Sequence, residues 1–161
     1  MAEYKTNVMR ILDKAGIAYT PHQYPHRDGD PIDGGAVAAY LQKAPQTVFK
    51  TLVTRGHSGA YLVFVIPVCA ELDLKKAARA AGEKSVEMIH VAEINKITGY
   101  IRGGCSPVGM KKQYQTVFDQ SCLNCETITV SAGKIGYQIE LHPTALIELV
   151  RGKTADIIAQ S

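Results

Sequence analysis

"TVFKTLVT", residues 47–54, has the branched and aromatic residues of a β-strand and a lysine at its centre. Side chains alternate along a strand, so Lys50 shares a face with Val48 and Leu52, while Phe49, Thr51 and Val53 take the other. Neither face is plainly the wet one. An ammonium there must snorkel to water, find a partner or reach an open cavity, because burying it bare is expensive. The plain alternative is an edge strand that uses lysine to discourage aggregation. The next residues, "RGHSG" (55–59), have the glycine content of a hairpin loop, and "AYLVFVIPV" (60–68) reads as a second strand. The two strands are expected to pair antiparallel.

Outward from this hairpin, strands and helices intermix. "KTNVMRILDKAG" (5–16) places Val8, Ile11 and Leu12 at helical spacing, with Thr6 or Asn7 as cap and Gly16 as stop. "IAYTPHQY" (17–24) reads as a short strand that Pro21 confines to a sheet edge. "PHRDGDPIDGG" (25–35) is a loop leading into the amphipathic "AVAAYLQK" (36–43). "DLKKAARAAG" (73–82) is a helix between Asp73 and Gly82; "SVEMIH" (85–90) is short and extended; "VAEINKITG" (91–99) is a short helix ended by Gly99. Two more strands, "ETITVSAG" (126–133) and "KIGYQIELHP" (134–143), precede a helix in "PTALIELVRG" (143–152), with Pro143 in its first turn. No steady βαβ rhythm is present. The expected fold is therefore α+β: a single domain over residues 1–161, with a mixed, largely antiparallel, barrel-like sheet flanked by helices.

Composition excludes several classes. A chain of 161 residues with 46% apolar and 20% charged residues can build a core and is not disordered. The longest apolar run, "AYLVFVIPVCA" (60–70), is too short to span a bilayer and contains Pro67; with no signal peptide at the start, a cytoplasmic protein with no membrane partner is expected. Four cysteines are too few for a disulfide scaffold. Cys122 and Cys125 form one C-x-x-C, but Cys69, Cys105 and His142 lack ligand spacing around it, so two ordinary cysteines near a turn is the better reading. His22, His26, His57, His90 and His142 show no metal-ligand spacing either, and neither metal nor cofactor is expected.

"YIRGGCSPVG" (100–109) is the second informative stretch. Paired glycines let a ligand approach backbone N–H groups, the donors that stabilise a developing oxyanion, although Gly-Gly before Ser-Pro is also a good turn signature. The stretch matches neither a P-loop nor a G-x-G-x-x-G fingerprint. No G-x-S-x-G elbow occurs in the chain. Cys105 is the best nucleophile by position, and no histidine partner is recognisable for it; a small buried filler is the alternative.

"VFKTLV" (48–53), "LDLKKAARAAG" (72–82), "TGYIRGGCSPVGMKK" (98–112) and "VSAGKIGYQIEL" (130–141) together resemble the YbaK/EbsC group of aminoacyl-tRNA deacylases. These are free-standing relatives of the editing domain in bacterial prolyl-tRNA synthetase. The resemblance runs in order from "YTPHQYPH" (19–26) to the last helix and is closest to the type that hydrolyses cysteinyl-tRNA(Pro). It implies a pocket for the aminoacylated 3′ end of tRNA. Lys50 falls on the family's essential lysine, and Gly103 with Gly104 on the glycine loop facing the ester, which makes these three the expected catalytic residues. Tyr24 falls on a pocket tyrosine and Ser131 on a pocket serine. His26, Thr51, Ile101, Cys105, Ser106, Pro107 and Gln138 complete the expected substrate contacts. Many members carry aspartate where this chain has Gln138, which removes a negative charge from that position.

The resemblance also implies a mechanism in which the cysteine being removed attacks its own ester with its thiol, so the protein needs no nucleophile. Lys50 then positions substrate. The expected partners are the aminoacyl-tRNA 3′ end and a prolyl-tRNA synthetase, with "GMKKQY" and "DLKKAARAAG" as basic contacts to RNA. Three other readings stay open: a non-catalytic module binding aminoacyl-tRNA or a synthetase, a deacylase for another amino acid such as alanine or serine, and an enzyme using Lys50 as a Schiff-base lysine.

Overall fold

The computed structural model describes residues 4–25 and 34–160; the expected loop at 25–35 and its His26 lie largely outside the described residues. The hairpin forms as expected. Strand β2 (Phe49–Gly56) pairs antiparallel with β3 (Tyr61–Pro67), Lys50 opposite Ile66 and Thr51 opposite Val65. Helix α1 (Asn7–Ala15) is capped by the Thr6 side chain, which accepts from the Met9 N–H, and ends at Gly16 in the left-handed region. Strand β1 (Thr20–Gln23), which contains Pro21, lies at a sheet edge where a missing N–H is harmless. Helix α2 covers Gly34–Tyr40.

Helix α3 (Leu74–Ala81) is capped by Asp73 and closed by Gly82; β4 (Val86–Met88) and α4 (Ile94–Thr98) follow. Two strands were not legible in the sequence pattern, β5 (Gln115–Asp119) and β8 (Lys153–Ala155). Between them come β6 (Ile128–Ser131), β7 (Tyr137–Leu141) and α5 (Pro143–Leu149), all near their expected places.

The strands form two sheets. One has the order β1-β7-β6 and is antiparallel; the other has the order β4-β2-β3-β5-β8, with β5 parallel to both β3 and β8. The fold is α+β and mixed as expected, but no closed barrel forms among the described residues. The sheets meet at a single parallel bridge, Val48 to Thr129, because β4 rather than a strand of the other sheet occupies the edge of β2 beyond Thr54.

Alternation along β3 divides the core. Leu62, Phe64 and Ile66 face α3, packing with Ala77, Ala78, Val86 and Ile157. Val63 and Val65 face the other way, into a cluster built from α1, α5, β6 and β7 through Leu12, Leu146, Val130 and Ile139. The larger sheet is thus buried on both faces, which explains why β3 reads as a continuous apolar run. Phe64 is fully buried at its centre. Replacing Phe64 with alanine is expected to destabilise the fold by about 3–5 kcal/mol, measurable as a lowered urea midpoint with an unchanged slope.

Candidate active site

The cavity lies along an edge, not on a face. Strand β4 covers β2 only at Thr54–Gly56, and the open half of β2 contributes four consecutive residues, Phe49, Lys50, Thr51 and Leu52, to a cavity of about 440 Å³. Consecutive residues point to opposite faces, so a ligand there must meet the strand side-on, where its backbone has no strand partner among the described residues. The remaining walls come from α2 (Gly34 and Val37), from the smaller sheet (Ser131 and Gln138), from Tyr24 after β1, and from Arg102, Gly103 and Cys105 of the glycine loop.

Tyr24, Lys50, Thr51, Gly103, Cys105, Ser131 and Gln138 are therefore brought together from five separate stretches of sequence. Gln138 sits on the middle strand of the smaller sheet, opposite His22 on one side and Ser131 on the other. The Ser131 hydroxyl accepts from the Gly133 N–H at 3.2 Å. Tyr24 Oη and Thr51 Oγ1 are buried without a hydrogen-bond partner among the described residues. Such orphans are costly in a finished core, and at a cavity wall they are the groups a ligand would satisfy.

Other expected contacts lie elsewhere. Gly104 is buried behind the loop, and its N–H donates to the Ile101 carbonyl at 3.0 Å, closing a turn. Its missing side chain has a packing reason, since a Cβ there would stand 3.2 Å from the Ile135 backbone nitrogen. Gly103, at φ +87°, is the glycine the loop conformation demands. Ser106 is fully buried and its hydroxyl accepts from the Val108 N–H, Pro107 is buried, and Ile101 is exposed on the far side of the loop. His26 is outside the described residues. Arg102 was not among the expected residues; a cation immediately before a glycine pair was the available signal.

Electrostatics separate the cavity from an ordinary acid–base site. Among the described residues, Lys50 and Arg102 are the only charged ones lining it, no carboxylate does, and neither cation has an ion pair. Burial pushes the Cys105 thiol up to about 12, against a smaller opposing effect of a hydrogen bond with Thr98. At neutral pH this thiol stays protonated, a poor nucleophile. The Cys122 thiol, buried in the core, is likewise raised to about 12 by burial. Among the described residues no cluster of three potential metal ligands occurs. The lysines of "DLKKAARAAG" and "GMKKQY" do not line the cavity: Lys76 pairs with Asp156 at 3.1 Å, and Lys111 donates to the Lys96 carbonyl.

One carboxylate acts from behind. Glu140 on β7 accepts from Lys43 Nζ at 2.7 Å and from the Thr127 hydroxyl, and bonds His22 Nε2 at 2.8 Å. Lys43 follows α2, so the pair ties one end of that helix to the smaller sheet. At the other end Gly34 lies against Val68, where a Cβ would come within 2.6 Å of a methyl group. The wall formed by α2 is held at both ends.

The Lys43 bond first, then Thr127 and His22, lower the Glu140 carboxyl from 4.5 to about 2, with burial opposing. A depressed carboxyl contributes stability that is complete above about 4.5 and is lost as pH falls toward about 2, because the unfolded chain binds the proton more readily. The melting temperature of the wild type should therefore fall more steeply over that interval than that of Glu140→Gln, as followed by circular dichroism; parallel profiles would contradict the assignment.

The chain belongs to the aminoacyl-tRNA editing domain family, whose model matches residues 33–149. It is accordingly a hydrolase of the aminoacyl ester. It is 44% identical over 155 residues to the Enterococcus faecalis protein named "Putative Cys-tRNA(Pro)/Cys-tRNA(Cys) deacylase EbsC", covering 96% of this chain and 94% of that one. Two solved structures share the fold at lower identity. One is described as "a putative trans-editing enzyme for prolyl tRNA synthetase" (TM-score 0.81, 21% identity, 98% of this chain and 100% of the other). The second, hypothetical protein APE2540, has a TM-score of 0.84 at 23% identity, covering 94% of this chain and 99% of the other.

Proposed function

We propose that this protein removes cysteine from mischarged cysteinyl-tRNA(Pro), acting in trans as a single folded domain in the cytoplasm. The observation that carries the reading is a cavity in which the described residues supply two cations without ion pairs and no competent nucleophile: Lys50 and Arg102 line it, and the one thiol among those residues, on Cys105, is held protonated. Such a site suits a polyanion that brings its own nucleophile. The relative from Enterococcus faecalis, named for cysteinyl-tRNA, supports the choice of amino acid.

The reaction proceeds in two steps. The substrate's cysteine thiol attacks its own ester carbonyl, forming a C–S bond; the C–O bond to the terminal ribose breaks and the ribose oxygen takes up the thiol proton. Water then opens the cyclic thioester to free cysteine. Both reacting groups belong to one molecule, so holding them in the right rotamer supplies much of the rate. Lys50 holds the RNA end by its negative charge, an attraction stronger in a half-buried cavity than in bulk water.

Gly103 and Cys105 line the same cavity, and the N–H of neither donates to another backbone group among the described residues. These two N–H groups are the proposed oxyanion donors. Gly104 supports them by closing the turn.

A thiol requirement supplies the discrimination a proline-charging site lacks, since a hydrophobic pocket separates ligands differing by one methylene only about 10- to 200-fold. Prolyl-tRNA synthetase is the proposed protein partner, presenting the mischarged tRNA.

A deacylation panel with cysteinyl-, alanyl- and seryl-tRNA(Pro) tests the proposal. Cysteine should be released fastest, serine weakly and alanine at the uncatalysed rate. Alanine or serine release outpacing cysteine would assign the site to another amino acid, and tight binding without turnover would make it a non-catalytic module. Lys50→Ala should lower kcat/KM for the cysteinyl ester by about 10²–10³, the scale of losing one electrostatic contact in a catalytic site. Cys105→Ala should keep most of the activity, and a folded but inactive Cys105→Ala would place the nucleophile on the protein.

A further inference from the structure

Behind the glycine loop lies a second cavity of about 510 Å³, within the range of ligand pockets. It shares one residue with the first, Tyr24, whose N–H is tied to the Gly136 carbonyl at 3.0 Å. The loop divides the two: Gly103 and Cys105 line the first cavity, while Ile101 lines the second, with Gly104 packed against Ile135 between them. The walls of the second cavity mix polar and apolar surface, with three tyrosines, Tyr24, Tyr100 and Tyr137, beside Ile101 and Ile135. Ile101 is 56% exposed and so open to a ligand from solvent.

The charge is equally one-sided. Among the described residues Lys134 is the only charged one lining the second cavity, so across both cavities their charged lining consists of Lys50, Arg102 and Lys134, without a carboxylate. The Lys134 ammonium lies 4.6 Å from the ring centre of Tyr4 and 5.6 Å from that of Tyr137, rings that pack 5.0 Å apart, and it donates to Tyr4 Oη at 3.2 Å. Aromatic surface beside cations is how proteins take up unpaired nucleotides: bases stack and phosphates meet the charge.

We propose that the second cavity is a nucleotide subsite, taking the base of the nucleotide immediately upstream of the acylated one in the single-stranded RNA end. Resting on the deacylase reading, this extends it from an ester site to a site that reads two successive nucleotides. Arg102 on the loop and Lys134 beyond it flank the connecting backbone, and Tyr24 separates the two sugars. Arginine and lysine at these places hold the RNA in register without reading its sequence.

The test compares cysteine esterified to adenosine alone with cysteine esterified to a short single-stranded trinucleotide ending in that adenosine. Both are measured on each protein, so a loss of folded enzyme cancels in the ratio. For the wild type, kcat/KM for the trinucleotide ester should exceed that for the adenosine ester by about tenfold or more, the scale of one stacked base. In Lys134→Ala and in Ile101→Asp the ratio should fall toward one. A wild-type ratio near one would overturn the subsite while leaving the deacylase reading intact, and a high ratio unchanged in both variants would place the upstream nucleotide elsewhere. Failure of the wild type to hydrolyse any of these esters, or the tRNA panel, would remove both readings.

Discussion

An ammonium without a carboxylate, held on a half-buried strand, gives up part of its hydration with nothing in the protein to replace it. Among the described residues Lys50 is in that position, and the surrounding structure maintains it. β4 stops short and leaves the strand edge open, the second sheet approaches only as far as the Val48–Thr129 bridge, and no acidic side chain among the described residues lines the gap. Glu140, a carboxylate of the smaller sheet, is already satisfied by Lys43, Thr127 and His22 and is not among the residues that line the cavity. An incoming anion is the natural partner for what remains.

The two-sheet arrangement makes such a gap possible. Had the sheets closed into a barrel, the edge of β2 would have been paired and its peptide groups spent on a neighbour. Instead the apolar faces are buried on either side of β3, so stability comes from Phe64, Val65 and their neighbours, and the edge is released for binding. Around it the walls are made firm by different means: a carboxylate tie behind α2, a turn closed by Gly104, and a close approach of Gly34 to Val68. A site that works by holding a substrate in one rotamer needs such walls more than it needs a reactive side chain.

Much of this was legible in the sequence. The β2–β3 hairpin, α1 with its Thr6 cap, α3 between Asp73 and Gly82, and α5 after Pro143 all follow local rules of periodicity, capping and turn chemistry. β5 and β8 were not legible, because both pair in parallel with strands distant in sequence, and "KTA" at 153–155 has no pattern of its own. Closure of the sheet could not be read for the same reason. Lys50 stood out because a charge at the centre of an apolar strand is conspicuous. The face alternation did not place the cavity, since an edge site recruits both faces. Which amides of the glycine loop are free depends on one turn hydrogen bond, from Gly104 to Ile101, that composition does not reveal.

Substrate-supplied chemistry makes the thiol of the bound amino acid indispensable, and a single-turnover comparison tests this most directly. Two esters of the same tRNA are offered in turn to saturating enzyme: cysteine, and 2-aminobutyrate, in which a methyl group replaces the thiol at nearly equal size. The account predicts rapid release of cysteine and a 2-aminobutyryl ester that decays only at its uncatalysed rate while still bound. Comparable rates for the two would contradict it.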